Sequence, residues 1–268
     1  MVGEFSAKRL VRSALFIPVA VYVGLFLLAH FYAERIIFQA QPATDSDTDE
    51  VVKLNVGDRE TISAIYLNSP GSRYTILFNH GNAEDIGTIR RTMDKLRAMG
   101  FSVFSYDYRG YGTSSGEASE GNSYHDADAA YSYLVDNLRV APDKIIVLGR
   151  SLGGAVAVDL ASKREVGGLI VESSFVTAFR VLTHVPLFPT DRFDSVSKIR
   201  KVHCPVLIIH GTQDESIPLW HGERLFREAN EPKLSFWVEG ADHNNLLSIA
   251  GNRYDDKLAQ FVAFIESR

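Results

Sequence analysis

The sequence predicts an open α/β sheet of eight mostly parallel strands with helices on both faces, preceded by a single N-terminal transmembrane helix. Three observations predict it. Short runs rich in Val, Ile and aromatics recur after residue 50, amphipathic helical spacings separate most of them, and an uncharged stretch precedes them all. Buried parallel strands read as such apolar runs, and strand–helix alternation is the signature of crossover connections.

The uncharged stretch, Ser13–Ala33, is 21 residues long. At about 1.5 Å per residue it reaches about 30 Å, the thickness of a bilayer core. It lacks the polar face of a buried core helix. It is longer than a secretory signal and carries bulky His30, Phe31 and Tyr32 near its end rather than small residues, which favours an uncleaved anchor. Lys8, Arg9 and Arg12 precede it and only Arg35 follows closely. The positive-inside rule then keeps the N-terminus cytoplasmic and sends the rest across the membrane. Residues 1–33 form the tip and anchor, and the Pro-, Asp- and Thr-containing stretch at 34–50 reads as a linker.

From residue 51 to 268 a single domain is expected. Strand runs fall at Glu50–Val56, Ile62–Leu67, Tyr74–Phe78, Ser102–Tyr106, Ile145–Gly149, Gly168–Glu172, Pro205–His210 and Leu234–Val238. The first two lie close enough for a hairpin, so the sheet should begin antiparallel and continue parallel. Helical faces follow from Ile86, Ile89, Met93 and Leu96, from Ala127, Ala130, Leu134 and Leu138, and from Tyr254, Leu258, Phe261 and Ile265. Ser151–Lys163 is rich in Ala and Val and continues the pattern.

A chain of 268 residues with 46% hydrophobic positions can bury a core without covalent staples. Its lone Cys204 excludes an intramolecular disulfide and every multi-cysteine metal site. With 28 basic against 33 acidic side chains, nucleic-acid binding is disfavoured.

In open parallel sheets, ligands gather beyond the carboxyl ends of the strands. After the fifth strand comes Gly149-Arg150-Ser151-Leu152-Gly153, a G-x-S-x-G set between an apolar strand and a helix, where a nucleophile elbow belongs. A second match, Gly112-Thr113-Ser114-Ser115-Gly116, has no strand before it and reads as a solvated loop. A serine needs a base. Of eight histidines, His243 occupies a short loop between the last strand and the last helix, the position from which a base reaches the elbow. The third member must be a carboxylate after a strand and between these two. Asp214, beyond the seventh strand, is the candidate, and Glu172, at the end of the sixth, is its rival. Oxyanion donors are expected at the backbone N–H of Leu152 and of Asn82, in the loop Asn79-His80-Gly81-Asn82-Ala83.

Together His80-Gly81-Asn82, Asp107-Tyr108-Arg109-Gly110-Tyr111-Gly112, the G-x-S-x-G, His210-Gly211-Thr212-Gln213-Asp214 and Asp242-His243 resemble the α/β-hydrolase superfamily. Within it the chain is similar to small membrane-anchored serine hydrolases of the serine-aminopeptidase-like group, whose animal relatives include depalmitoylases and lysophospholipid lipases. The resemblance implies the α/β-hydrolase fold, a Ser-Asp-His triad and a structural place for Arg109 beside the site. Glu84-Asp85 departs from the Gly-Asn of many relatives and would make the oxyanion-loop mouth more acidic.

Between the sixth and seventh strands, residues 174–204 form a short lid-like insertion whose Leu182, Val185, Leu187 and Phe188 suit an acyl chain. It is too short for the large acidic cap of peptide-cleaving relatives. The expected activity is hydrolysis of a carboxylic ester or thioester of a small or lipid-like acyl substrate, with no metal or organic cofactor. The alternatives are a serine aminopeptidase-type hydrolase and a membrane-tethered binding protein without turnover.

Overall fold

The computed structural model describes residues 2–44, 46–57, 59–183 and 187–267. The chain divides into two compact units, residues 1–37 and 38–268.

The first unit is one helix, α1 (Val2–Ile37). Its stretch Phe16–Ile37 is long and apolar enough to cross a membrane. Phe16, Leu25, Leu28 and Phe31 are exposed, unlike the side chains of a soluble core helix. Pro18 sits within the helix, as bilayer-length helices tolerate.

In the second unit the strands are β1 (Val51–Gly57), β2 (Glu60–Leu67), β3 (Thr75–Asn79), β4 (Ser102–Tyr106), β5 (Ile145–Arg150), β6 (Gly168–Glu172), β7 (Val206–Gly211) and β8 (Lys233–Val238). They form one sheet in the order β1-β2-β4-β3-β5-β6-β7-β8. β2 pairs antiparallel with both β1 and β4, and every later pairing is parallel. The hairpin followed by a parallel sheet is the arrangement the apolar runs predict, and each strand begins and ends within two residues of its expected run. Every residue of β3, β4 and β6 is buried, whereas β1 and β8, at the two edges, are mostly half-exposed. Interior strands need apolar residues on both faces; edge strands need them on one.

The α-helices of this unit are α2 (Arg90–Ala98), α3 (Glu120–Ser132), α4 (Leu152–Ala161), α5 (Arg180–Thr183), α6 (Ser195–Lys198), α7 (Trp220–Glu228), α8 (Leu246–Ala250) and α9 (Asn252–Glu266). Met93 and Leu96 of α2, Tyr254, Leu258 and Phe261 of α9, and Ile76, Phe78, Ile146, Leu148, Ile170 and Leu207 of the sheet share one core cluster. Each such side chain contributes about 1.5–3 kcal/mol on leaving water. The face read across Ala127, Ala130 and Leu134 continues beyond α3 through one π-helical turn, Tyr133–Asn137, where Leu138 N–H donates to Tyr133 O at 3.1 Å. The wider turn leaves Leu138 half-buried instead of on the core face.

Strand order, not chain direction, reverses at β3, whose pairings with β4 and β5 are both parallel. The connection from β3 runs to β4 on one side, and the next strand, β5, pairs on the other. Such a switch point opens a crevice beyond the strand ends. The loops after β3 and β5 meet there.

Candidate active site

Ser151 stands between β5 and α4 with φ 54° and ψ −119°, a conformation that L-residues avoid. Its backbone is over-determined. Ser151 N–H donates to Glu172 O at 2.9 Å, and Ser151 O accepts from Ser174 Oγ at 2.7 Å and Gly154 N–H at 3.0 Å. The flanking glycines are steric necessities. A Cβ on Gly149 would stand 2.1 Å from Gly153 O, and one on Gly153 would stand 2.1 Å from Asn79 O. The elbow thus packs directly against the end of β3, and no larger residue fits either position.

His243 Nε2 lies 3.1 Å from Ser151 Oγ, and His243 Nδ1 lies 2.8 Å from Asp214 Oδ2. Three residues separated by up to 92 positions are therefore brought into one hydrogen-bonded line. Asp214 Oδ1 accepts Ile217 N–H at 2.7 Å, which fixes the carboxylate plane. Burial pushes the Asp214 carboxyl up, but the hydrogen bond from His243 and that from Ile217 N–H outweigh it and hold it below the usual carboxylate value. Asp214 is fully buried at its side chain while His243 is partly exposed, so the line runs from interior to surface.

Glu172 is elsewhere. Its Oε2 accepts from Tyr254 Oη at 2.8 Å and its Oε1 lies 3.8 Å from Arg150 Nε, while burial raises its pKa. The geometry therefore pairs Asp214, not Glu172, with the imidazole. Ser114 donates to Asp107 O and accepts Ser63 N–H, both at 2.9 Å, a loop role. His80 and His210 are buried, burial lowers both pKa values, and each ring bonds a carbonyl, Gly81 O at 2.8 Å and Ile217 O at 2.7 Å.

Leu152 is the first residue of α4, and its N–H belongs to the helix end that no intrahelical carbonyl satisfies. Asn82 is held by its side chain: its Oδ1 accepts from Tyr111 Oη at 2.6 Å and from Gln39 N–H at 3.0 Å. Ala83 follows at φ 58°, the left-handed turn that closes this loop. Beside it Arg109 donates through its N–H and Nε to the two oxygens of Asp126, at 2.9 and 2.8 Å, and lies 3.1 Å from Glu60, a buried structural knot.

Sequence reasoning missed two things here. The compact unit begins at Phe38, ahead of the Val51 expected, because Phe38 packs on Tyr111 and Phe193, and Thr44 donates through N–H and Oγ1 to Asp85. The partners lie 41 or more positions away in the chain, and nothing local in the sequence announces them. The second is Arg150. It pairs with Glu84 through Nη1, and its Nη2 donates to His243 O at 3.1 Å and to Asn244 Oδ1 at 3.2 Å. Arg150 balances the charge of Glu84, but neutral Thr44 leaves that of Asp85 in place, so the acidic mouth expected from sequence is neutralised only at Glu84.

In the insertion, Leu182 and Leu187 are exposed, and Phe188 packs edge-on against Phe179 with ring centres 6.1 Å apart. Val185 lies outside the described residues. The insertion's acids serve its own folding. Asp191 accepts from Thr177 Oγ1 and Phe179 N–H, and Asp194 accepts Ser197 N–H at the start of α6.

Residues 70–187 match the family described as serine aminopeptidase, S33. Over 203 residues the chain is 42% identical to alpha/beta hydrolase domain-containing protein 17C of Xenopus tropicalis, a match covering 73% of this chain and 63% of that relative. Over 202 residues it is 41% identical to protein 17B of Xenopus laevis, covering 72% of this chain and 68% of the relative. Among solved structures, an esterase of Pyrococcus furiosus superposes with a TM-score of 0.69 at 18% identity, over 84% of this chain and 98% of the other. Mouse alpha/beta hydrolase domain-containing protein 10 superposes with a TM-score of 0.62 at 17% identity, over 80% and 99%. At those identities the two structures speak to fold alone.

Proposed function

The chain belongs to the α/β-hydrolase family, and we propose that within it this protein is a serine hydrolase of carboxylic esters or thioesters. The observation that carries the proposal is the line Ser151–His243–Asp214, at 3.1 and 2.8 Å. His243 Nε2 takes the Ser151 proton as Oγ attacks the acyl carbonyl. Asp214 accepts the Nδ1 proton's hydrogen bond, fixing the tautomer and stabilising the imidazolium. The N–H groups of Leu152 and Asn82 receive the developing oxyanion, and the leaving alcohol or thiol takes the proton back from His243. Water then enters, His243 removes its proton as the oxygen attacks the acyl carbon, and His243 returns that proton to Ser151 Oγ as the ester bond to the serine breaks and the carboxylic acid departs.

An aminopeptidase needs a fixed acid to hold a free amino terminus. Asp191 and Asp194 of the insertion are spent on its own hydroxyl and backbone donors, and Glu84 on Arg150, which supports ester or thioester cleavage. The exposed Leu182 and Leu187 offer apolar surface to an acyl chain. A panel of p-nitrophenyl esters and acyl thioesters of graded chain length, run beside amino-acid anilides, tests this. Esters and thioesters should turn over and anilides should not; preferential anilide cleavage would move the protein to the peptidase side.

Phe16–Ile37 anchors the chain in a membrane, and the basic residues Lys8, Arg9 and Arg12 hold the N-terminus in the cytoplasm. The catalytic domain then lies on the opposite side. A fluorescent protein that matures only in the cytoplasm, fused at the C-terminus, should stay dark. Fluorescence would reverse the orientation, and release of the chain by alkaline carbonate would remove the anchor.

A further inference from the structure

The side chain in the variable position of the elbow motif is the most connected polar group at the site. Arg150 precedes Ser151, and its guanidinium reaches two loops and the end of one strand. Nη1 pairs with Glu84 in the loop after β3, Nη2 donates to His243 O and Asn244 Oδ1 in the loop after β8, and Nε faces Glu172 at the end of β6 at 3.8 Å. Glu84 in turn accepts Gly81 N–H at its Oε2, 2.6 Å away. That acceptance takes the Gly81 donor out of the oxyanion site and orients the peptide chain leading to Asn82 N–H.

Glu84 is badly placed for a serine hydrolase if it stands alone. The space a side chain on Gly81 would fill is bounded by Glu84 Oε2 at 2.7 Å on one side and Ser151 Cβ at 3.4 Å on the other. A lone carboxylate there repels the oxyanion that forms when Ser151 attacks, and a partly desolvated setting strengthens the repulsion. Arg150 and Glu84 are only about one-fifth exposed, so solvent screens their charges weakly.

On the serine-hydrolase reading given above, we propose that Arg150 and Glu84 form a positioning pair: Glu84 aims the oxyanion loop, and Arg150 cancels its charge while tying the His243 loop to the elbow. Neither touches the reacting atoms. They act through Gly81, Asn82 and His243.

The pair makes a prediction that a merely structural role does not. In the full-length chain, Arg150→Met leaves Glu84 uncompensated and should lower kcat for a p-nitrophenyl ester roughly 30-fold with KM within about twofold. Glu84→Gln keeps an acceptor for Gly81 N–H and should cost about threefold. The double variant should regain roughly tenfold over Arg150→Met, since the repelling charge is gone. The rate of labelling by a fluorophosphonate should follow kcat in each variant and should recover in the double variant whatever the change in melting temperature. A double variant as slow as Arg150→Met, or losses that track melting temperature, would overturn the pairing while the hydrolase reading stood. A wild-type protein that neither labels nor turns over would sink the hydrolase reading, and the pairing with it.

Discussion

Ser151→Ala is expected to lower ester turnover roughly 10⁴-fold or more, about 5.5 kcal/mol of transition-state stabilisation, and to abolish fluorophosphonate labelling. The change removes one oxygen and little else. Ser151 is held through its backbone, by Glu172 O, Gly154 N–H and the Ser174 hydroxyl, and alanine keeps all three contacts. Melting temperature should therefore stay within a degree or two of wild type, separating chemistry from folding. Ser151→Gly supplies a complementary reading. At φ 54° and ψ −119° a side chain is strained, and glycine relieves it. The glycine variant should be inactive yet more stable by about 1 kcal/mol, a gain of a few degrees. An alanine variant keeping a tenth of wild-type activity would place the nucleophile elsewhere and overturn the mechanism.

The second large effect separates two carboxylates. Asp214→Asn should reduce kcat about 10⁴-fold, because the amide presents a donor where His243 Nδ1–H needs an acceptor and favours the wrong tautomer. Glu172→Gln should cost less than about tenfold, since its oxygens face Tyr254 and Arg150 rather than the imidazole. Equal or greater loss from Glu172 would exchange the two roles. The pH dependence follows from the lowered Asp214 pKa. A carboxyl whose folded pKa lies below its unfolded value contributes stability above the unfolded value, about 3.9, and loses it as pH falls through the folded one. Thermal melts of wild type should therefore fall more steeply below about pH 4 than melts of Asp214→Asn. Parallel curves would remove Asp214 from the acid response. Glu172 runs the other way. Burial raises its pKa, so its contribution is full below the unfolded value and is lost as pH rises through the folded one.

The strands and the order of the site were legible in the chain for one reason. A strand buried on both faces is mostly apolar, so β3, β4 and β6 stand out as short runs rich in Val, Ile, Leu and aromatics, despite Thr75, Asn79, Ser102, Ser105 and Glu172 within them. The elbow is legible because its glycines are compulsory: a methyl group on Gly149 or Gly153 would overlap a backbone carbonyl. His243 was found by its place between the last strand and last helix, and Asp214 by its place after a strand. The sequence favours Asp214 but leaves Glu172 as a rival, since both sit at strand ends, and both prove buried. Distance to one imidazole nitrogen decides it.

Arg150 marks the opposite limit. Its position inside G-x-S-x-G is one where the backbone pattern accepts any residue, and Glu84 lies 66 positions away. The contact of Gln39 with Asn82 is equally silent, because it runs through a backbone N–H that nearly every residue possesses, and Thr44 reaches Asp85 partly in the same way. By itself the sequence determined the apolar N-terminal helix, the strand order's antiparallel start and which serine, histidine and acids compete for the site, since each depends on local composition and spacing. Only the tertiary structure decided which acid meets His243, what neutralises Glu84 and where the compact unit begins. Those are questions of distance between residues remote in the chain, and packing alone sets such distances.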